Sequence, residues 1–508
     1  MSKLLKLIFS RMGLVVLLIA AQFVFLLMLI WKISNYFIYF YFFSLALSIA
    51  VMIYILGRRD NPSYKLAWAM PILLFPMFGG LCYVIFGHKA MPRRKRLLGE
   101  RLDKKTRDAL HQDVPVSDEL MACSKAACNQ SRYIYGGSGY PAYRNTGAIF
   151  LPLGEDKFSR LKEELERAEH YIFLEYFIIQ EGVMWDAVLE ILCRKVSEGV
   201  DVRVIYDDIG CLRLLPYGYY RKLRKMGIKC QVFNEFKPYL TIRFNNRDHR
   251  KLAIIDGLVG FTGGINLADE YINAYDKLGH WKDSSIMICG EAVWSMTMMF
   301  LETWSFCTRV DEDILRYKPE YHATGFDGYI QPYGDSPNDE EALGENIYLS
   351  ILGHARDYIY ITTPYLIVGS ELATALALAA KSGVDVRIIT PHHADKWYVH
   401  IVTQSYYPML IEAGVKIYEY TPGFIHSKTF VCDDEVATVG TINMDFRSLY
   451  LHFECGVWMY KTSAVADIRD DFLKTQALSQ RITKEDCRNI PLIKRIIRAV
   501  LRIFAPLM

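Results

Sequence analysis

The sequence predicts an α/β body made of two copies of one unit, its sheets mainly parallel and flanked by helices, behind N-terminal transmembrane helices. Three observations carry this reading. Two long uncharged apolar runs open the chain, strand-like and helix-like patterns alternate in an arrangement that repeats itself, and one polar motif occurs twice. The 508 residues are 52% hydrophobic with a formal net charge of +3. Such a composition buries enough apolar surface to offset chain entropy, which excludes a disordered chain. A mean hydropathy of only +0.10 speaks against a wholly polytopic membrane protein. The apolar residues must then be unevenly spread.

They are concentrated at the N-terminus. Residues 12–31 carry no charge and neither do residues 33–57, with Lys32 alone between them. Each run is long enough to cross a hydrocarbon core of about 30 Å as a helix rising about 1.5 Å per residue. A cleaved signal peptide does not fit, because the first run is too long, lacks a small-residue cleavage site and meets a second span at once. A third uncharged stretch, residues 66–87, contains Pro71, Pro76 and Gly79-Gly80, which break or kink helices. Lys3, Lys6 and Arg11 precede the first span, and Arg58, Arg59 and Lys65 follow the second. Positive charge gathers on the cytoplasmic side, so both flanks are expected there. A third crossing would leave Lys89, Arg93, Arg94, Lys95 and Arg96 outside. A re-entrant or interfacial hairpin is expected instead, with the bulk of the chain cytoplasmic. Residues 1–90 are thus read as the anchor and 91–148 as a basic connector beside the membrane.

The body follows. Tyr171 to Ile179 reads as a strand, then a helix to Ser197, then a buried strand Val200 to Tyr206. Tyr358 to Ile367, a helix to Ser382 and Val384 to Thr390 repeat the series. GVDVRVI from Gly199 and GVDVRII from Gly383 lie 184 residues apart, and the segments around Gly227 and Gly414 lie 187 apart. Near-constant offsets indicate a copied unit, giving matched lobes at 149–318 and 319–488. The strand–helix–strand order is what implies parallel sheets. At the C-terminus, 489–508, Leu492, Ile493, Ile496, Ile497, Val500, Leu501 and Phe504 recur at helical spacing. Lys494, Arg495, Arg498 and Arg502 fill the other face. That is the pattern of a helix lying in an anionic interface, or of one packed on the body with a solvated basic face.

Each half ends in the same polar arrangement. The first reads His249-x-Lys251-x4-Asp256, then Gly263-Gly264-x-Asn266; the second reads His426-x-Lys428-x4-Asp433, then Gly440-Thr441-x-Asn443. A His and a Lys two apart on a strand point to the same face, so both reach one ligand. One copy supplies a nucleophile or a proton donor, and two copies facing each other supply the pair. Lysines and asparagine amides suit an anionic phosphoryl group, whose developing charge such donors stabilise.

These motifs resemble the phospholipase D superfamily, whose hallmark is H-x-K-x4-D in duplicate. Further features are similar to the bacterial cardiolipin synthases: the N-P-x-x-K-x-A-W segment at Asn61 to Trp68, Y-D-D-I-G at Tyr206 to Gly210, T-P-Y at Thr363 to Tyr365, N-x-D-x-R-S at Asn443 to Ser448, and a basic final helix ending in Ala-Pro-Leu. Gly334-Asp335-Ser336-Pro337 departs from the Ser-Gly-Pro more usual there. The resemblance implies phospholipase D-like lobes and a phosphatidyltransferase of the bacterial inner membrane, multi-pass, that makes cardiolipin from two phosphatidylglycerols through a covalent phosphatidyl-histidine. It implies no metal, cofactor or nucleotide. His249 is favoured as nucleophile and His426 as acid/base, a choice the near-identity of the motifs leaves open. Lys251, Lys428, Asn266 and Asn443 would hold the phosphate. Asp283, 34 residues after His249, and Glu454, 28 after His426, would orient the imidazole each follows. Asp256 and Asp433 complete the motif set, as structural partners more than chemical ones, and Glu175 on its apolar strand is a further candidate.

Other signals are weaker. His392-His393-x-Asp395 and His400 suit no common metal site, Gly136 to Gly139 lacks the Lys-Ser/Thr of a P-loop, and eleven cysteines without a C-x-x-C pair indicate neither disulfides nor a zinc knuckle. The acidic run Asp335 to Glu345 reads as a solvated linker between lobes. The basic segment Arg93 to Arg107, beside membrane spans, points to anionic lipid rather than nucleic acid. The rivals are a hydrolytic phospholipase D, a transferase using another alcohol, a membrane-tethered nuclease and a non-enzymatic scaffold. The spans, and the absence of base-stacking aromatics interleaved with basic residues, count against a nuclease. The oligomeric state is not encoded legibly.

Overall fold

The computed structural model describes Val24, Met28 and residues 37–58, 61–87, 93–235, 246–321, 325–337, 341–488 and 490–507. The first expected span, 12–31, lies outside the described residues except for those two positions. The second forms the helix Phe37–Gly57. Among the described residues, Ile38–Gly57 is the one stretch long and apolar enough to cross a membrane, and it is largely exposed. Residues 66–87 form parts of two helices, Pro62–Leu74 and Pro76–Phe86, that meet at Phe75. The break falls where Pro76 has no backbone N–H to donate. The second of these helices packs on Phe37–Gly57 through small residues: the Ser48 hydroxyl donates to the Pro76 carbonyl and accepts from the Gly80 N–H. A Cβ at Gly80 would stand 2.6 Å from the Ser48 oxygen, so only glycine permits this approach. Asn61 caps the Pro62–Leu74 helix and donates to the Tyr450 hydroxyl at 2.8 Å, tying the N-terminal helices to the second lobe.

Seventeen strands among the described residues build the body. The first lobe contains β1 (Thr146–Leu151), β2 (Tyr171–Tyr176), β3 (Asp201–Asp207), β4 (Lys229–Phe233), β5 (Lys251–Ile255), β6 (Val259–Gly263), β7 (His280–Lys282) and β8 (Ser285–Gly290). The second contains β9 (Tyr329–Asp335), β10 (Tyr358–Thr362), β11 (Asp385–Pro391), β12 (Lys416–Tyr420), β13 (Gly423–Ile425), β14 (Thr429–Cys432), β15 (Val436–Gly440), β16 (Glu454–Tyr460) and β17 (Ser479–Ile482). One sheet runs β1-β8-β6-β5-β2-β3-β4 and the other β17-β12-β11-β10-β14-β15-β16-β9. Apart from the added edge strand β17, the two orders correspond strand for strand, as the repeat requires.

The expectation of mainly parallel sheets is corrected. Within the two large sheets only β2-β3-β4 and β10-β11-β12 are parallel, because helices cross over between them. The other pairings in both sheets are antiparallel. The cause is local. β5 and β6 are joined by a tight turn whose central residues, Asp256 and Gly257, have φ of 52° and 68°; β14 and β15 use Asp433 and Asp434 at 52° and 56°. Such mirror-image turns make hairpins, and a hairpin is antiparallel.

The two sheets bury faces against each other. Phe173, Ile254 and Ile288 of one meet Val431, Val457 and Met459 of the other in a single core. The helix Val293–Thr308 is inserted there and buried on nearly every side. Each lobe has a second core on its outer face. The segment read as a connector divides: its helix Lys125–Ser138 contributes Ala127, Cys128 and Ile134 to the second lobe's core. Of the acidic run read as a linker, residues 338–340 lie outside the described residues, and its first residue belongs to a sheet. Asp335 ends β9 opposite Glu454 of β16, buried, and accepts from the Gly344 N–H at 2.8 Å.

Candidate active site

The site lies where the lobes are stitched together by backbone hydrogen bonds. The Phe453 N–H donates to the Arg247 carbonyl at 2.8 Å, and the His249 N–H donates to the Phe453 carbonyl at 2.9 Å. In the other half β13 pairs in parallel with β7, and the His426 N–H donates to the Lys282 carbonyl at 2.7 Å. Each motif histidine therefore enters the site paired with a strand of the opposite half. In both strands the next residue is a carboxylate, Glu454 or Asp283.

The histidine–carboxylate pairs are crossed as a result. His249 Nδ1 is 2.9 Å from both Glu454 oxygens, and His426 Nδ1 is 2.7 Å from Asp283 Oδ2. This corrects the expectation that Asp283 serves His249 and Glu454 serves His426. Proximity in sequence misled, because each carboxylate strand crosses the interface. The Thr441 hydroxyl donates to Glu454. Its counterpart in the repeat is Gly264, where a Cβ would stand 2.0 Å from Asp283 Oδ1. The shorter acid needs the glycine, and the longer acid uses the threonine as a donor.

Both carboxylates are fully buried, and the imidazoles are 9% and 10% exposed. Phe177 and His452 wall His249, with ring centroids at 5.0 and 5.5 Å. Tyr271, Trp281 and Phe424 wall His426 at 5.8, 5.8 and 6.0 Å. Lys251 donates to the His249 carbonyl and Lys428 to that of His426, and Lys428 Nζ stands 2.9 Å from His426 Nδ1. The asparagines are more committed than expected. Asn266 donates to the Tyr271 hydroxyl at 2.7 Å and accepts from the Ile178 N–H at 3.0 Å. Asn443 donates to the Ser448 hydroxyl at 3.0 Å, while its buried oxygen has no protein partner among the described residues.

Asp256 and Asp433 stand at the far ends of β5 and β14, beyond reach of the reacting groups, so their place in a catalytic set is corrected. Each accepts three backbone N–H bonds at the start of the neighbouring strand. Asp256 takes those of Glu169, His170 and Tyr171 at 2.7–2.8 Å. Asp433 takes those of Arg356, Asp357 and Tyr358 at 2.7–3.0 Å. The fixed spacing of the motif is thus the length of one strand from the reacting end to its turn. Glu175 is also displaced from the site. It pairs with Leu252 in register and so shares a face with Leu252 and Arg250, opposite to that of Lys251. There it accepts from the Thr303 hydroxyl at 3.2 Å and lies 3.9 Å from Arg250.

Burial, then the Lys251 and Lys428 ammonium groups, holds the His249 imidazole well below its ordinary value. Burial and Lys428 lower His426 to about 4, although Asp283 pulls the other way. Burial lowers Lys251 to about 8 and Lys428 to about 7. Both imidazoles are therefore neutral at pH 7. With Nδ1 facing a carboxylate it carries the proton, leaving the Nε2 lone pair for chemistry. An arriving phosphodiester anion favours protonation of all four groups, which lets one imidazole become an acid only once substrate is present.

Sequence reasoning missed His452, which lies 3.5 Å from Glu454 and is lowered to about 3, chiefly by burial. His249, His452 and Glu454 bring three potential metal-ligand atoms within 4.8 Å of one another. The His392 to His400 segment, which suits no common metal site, is held by protein partners instead: His392 meets Glu419 at 2.9 Å, Asp395 accepts from Tyr365 at 2.6 Å, and His400 meets Gln404 at 2.9 Å. The Y-D-D-I-G turn, in the sequence only a likeness to the family, has a positioning role. Asp207 accepts from the Ile209, Gly210 and Asp248 N–H groups at 2.8, 3.0 and 3.2 Å, which fixes the backbone entering His249.

Comparison with known proteins places this geometry. Residues 161–284 and 348–475 match the family model described as cardiolipin synthase, PLD-like domain, and residues 46–88 match phospholipase D-nuclease N-terminal. An uncharacterized protein of Streptococcus mutans is 42% identical over 461 residues, covering 91% of this chain and 100% of its own. A cardiolipin synthase of Halalkalibacterium halodurans is 33% identical over 478 residues, covering 92% of this chain and 94% of its own. The fold is similar to that of phosphatidylserine synthase from Haemophilus influenzae, with a TM-score of 0.54 and 13% identity over 75% of this chain and 98% of that one. The two matched domain copies enclose both histidine–carboxylate pairs, and the likeness runs almost end to end: the chain belongs to the cardiolipin synthase family of the phospholipase D superfamily.

Proposed function

We propose that the chain joins two phosphatidylglycerol molecules into cardiolipin, releasing glycerol. The observation that carries this reading is the pair of buried imidazoles, each held at Nδ1 by a carboxylate from the other half, with two lysines beside them. His249 Nε2 attacks the phosphorus of the first lipid, and the bond to its headgroup glycerol breaks. His426 gives that oxygen a proton, and glycerol leaves. The neutral His426 then takes the proton from the primary hydroxyl of a second phosphatidylglycerol. The freed oxygen attacks phosphorus and the P–N bond breaks, restoring His249. Lys251, Lys428 and the asparagine amides offset the charge on the phosphoryl oxygens. Asp283 and Glu454 stabilise whichever imidazole is charged. One phosphodiester replaces another, so the transfer needs no nucleotide.

The anchor and an interfacial C-terminal helix would hold this site at the membrane, with the body on the cytoplasmic side. The exposed apolar surface of Phe37–Gly57 and the helix pair behind it support a place at the membrane, and the positive flanks support the side. Detergent-purified protein given phosphatidylglycerol alone should yield cardiolipin and glycerol in equal amounts. Phosphatidic acid as the main product would overturn the synthase reading in favour of hydrolysis.

A further inference from the structure

The anchor, the second lobe and the C-terminal helix enclose a groove of about 800 Å³, the size of a small-molecule site. Leu66 of the anchor, Ala373 and Ala377 on the helix Ser370–Lys381, and Met409 give it apolar walls. Arg495, Arg498 and Arg502 of the helix Leu492–Ile503 line it too, and no carboxylate does.

The C-terminal helix sits opposite to the usual soluble arrangement. Its apolar side faces outward, with Leu492, Ile493 and Ile496 exposed by 69%, 73% and 55%. Arg498 and Arg502 turn toward the body, and Arg495 lines the groove from an exposed position. Arg498 donates to Gln404 at 2.6 Å, and Arg502 stacks 4.5 Å over the Tyr406 ring and meets the Ser405 carbonyl. None of the three arginines has a carboxylate within ion-pair distance among the described residues. Cations lining an apolar groove with no carboxylate in its walls, beneath a helix whose outer face is apolar, match an amphiphilic anion.

We propose that this groove is a second, non-catalytic binding site for an anionic phospholipid, its phosphate on the three arginines and an acyl chain along Ala373, Ala377 and Met409. The site would report to the reaction centre over a short path. Phe446 lines the groove and follows Asn443 by three residues, and the Ile367 N–H, beside the lining residue Val368, donates to the Met444 carbonyl at 2.8 Å. The inference rests on the membrane-bound reading above, but not on which lipid reaction the histidines perform.

The test is photolabelling of the full chain in detergent with phosphatidylglycerol bearing a diazirine in one acyl chain, followed by peptide mapping. Label should appear on peptides from 368–377 and 492–506. It should fall about tenfold or more in R495Q/R498Q/R502Q, since each arginine contributes to attraction for anionic lipid. It should fall likewise in Ala373→Trp, which fills the groove and leaves the charges. The phosphatidylcholine analogue should label these peptides weakly, and inorganic phosphate should not displace the label. In K251M/K428M the groove label should persist while label near 246–256 is lost, which separates this site from the proposed catalytic one. Thermal melting of each variant confirms folding. Equal labelling by the choline lipid, persistence in the arginine variant, full displacement by inorganic phosphate, or label confined to the catalytic peptides would each overturn the proposal.

Discussion

The crossed pairing makes a sharp prediction for Glu454→Gln, which keeps the shape of the side chain and removes its charge. In the structure His249 Nδ1 stands 2.9 Å from both oxygens of a fully buried carboxylate. A hydrogen bond to a charged group contributes about 1.5–3 kcal/mol. Each ~1.4 kcal/mol is tenfold in rate, so the step in which His249 acts should slow about 10- to 100-fold. The loss should fall on kcat, with KM near its original value, because the carboxylate touches the imidazole and not the lipid. Rapid-quench release of labelled glycerol measures that step. The partner assignment is read separately from 15N spectra of histidine-labelled protein, with resonances identified from His249→Gln and His426→Gln. Glu454→Gln should move the Nδ1 signal of His249, and Asp283→Asn that of His426. The reverse outcome, Asp283→Asn moving His249, would refute the crossed arrangement and restore the pairing by sequence proximity.

Other consequences follow from the same geometry. Lys428 and Lys251, lowered to about 7 and 8, bind phosphate only while protonated, so kcat/KM for phosphatidylglycerol should fall as pH rises through that window. Lys428→Arg, whose charge persists, should move the fall upward toward the Lys251 value in a pH–rate profile. Asp256→Ala leaves three backbone donors unmet and forces alanine to a φ of 52°, which should cost about 3 kcal/mol. Melting temperature should drop while glycerol release per folded molecule is retained; intact stability with lost chemistry would make Asp256 a catalytic group after all. Gly264→Ala would place a methyl 2.0 Å from Asp283 Oδ1, and glycerol release should fall about 100-fold, the loss expected when a charge-assisted contact to a catalytic group is broken. Activity near that of the parent would show that Asp283 can relax without cost.

The duplication and both polar motifs were legible in the sequence because each is a local pattern repeated at a fixed offset. The hairpins are legible in principle. Asp256-Gly257, between apolar LAII and LVGF, is a strong turn signal, and it counts against a mainly parallel reading of the strands around it. The crossed pairing was not legible, because it depends on how two folded copies dock rather than on spacing within one. Charge alone places Asp335 in a linker, and only its register opposite Glu454 puts it in a sheet. His452 gave one hint: aligning the two copies sets it against Trp281, beside a carboxylate strand in both.

The stitching of each histidine to the opposite half constrains how such a molecule could have arisen. A single half lacks any carboxylate in position for its own histidine, so on its own it holds no complete centre. Two identical halves related by a two-fold axis would each complete the other, and the site would straddle that axis with two equivalent imidazoles. Fusing the copies into one chain removes the obligation to be identical. Glu454 with Thr441 on one side and Asp283 with Gly264 on the other show that freedom in use. What symmetry once had to keep equal can then be divided into unlike tasks, and a reaction that needs one attacking group and one proton carrier gains from the division.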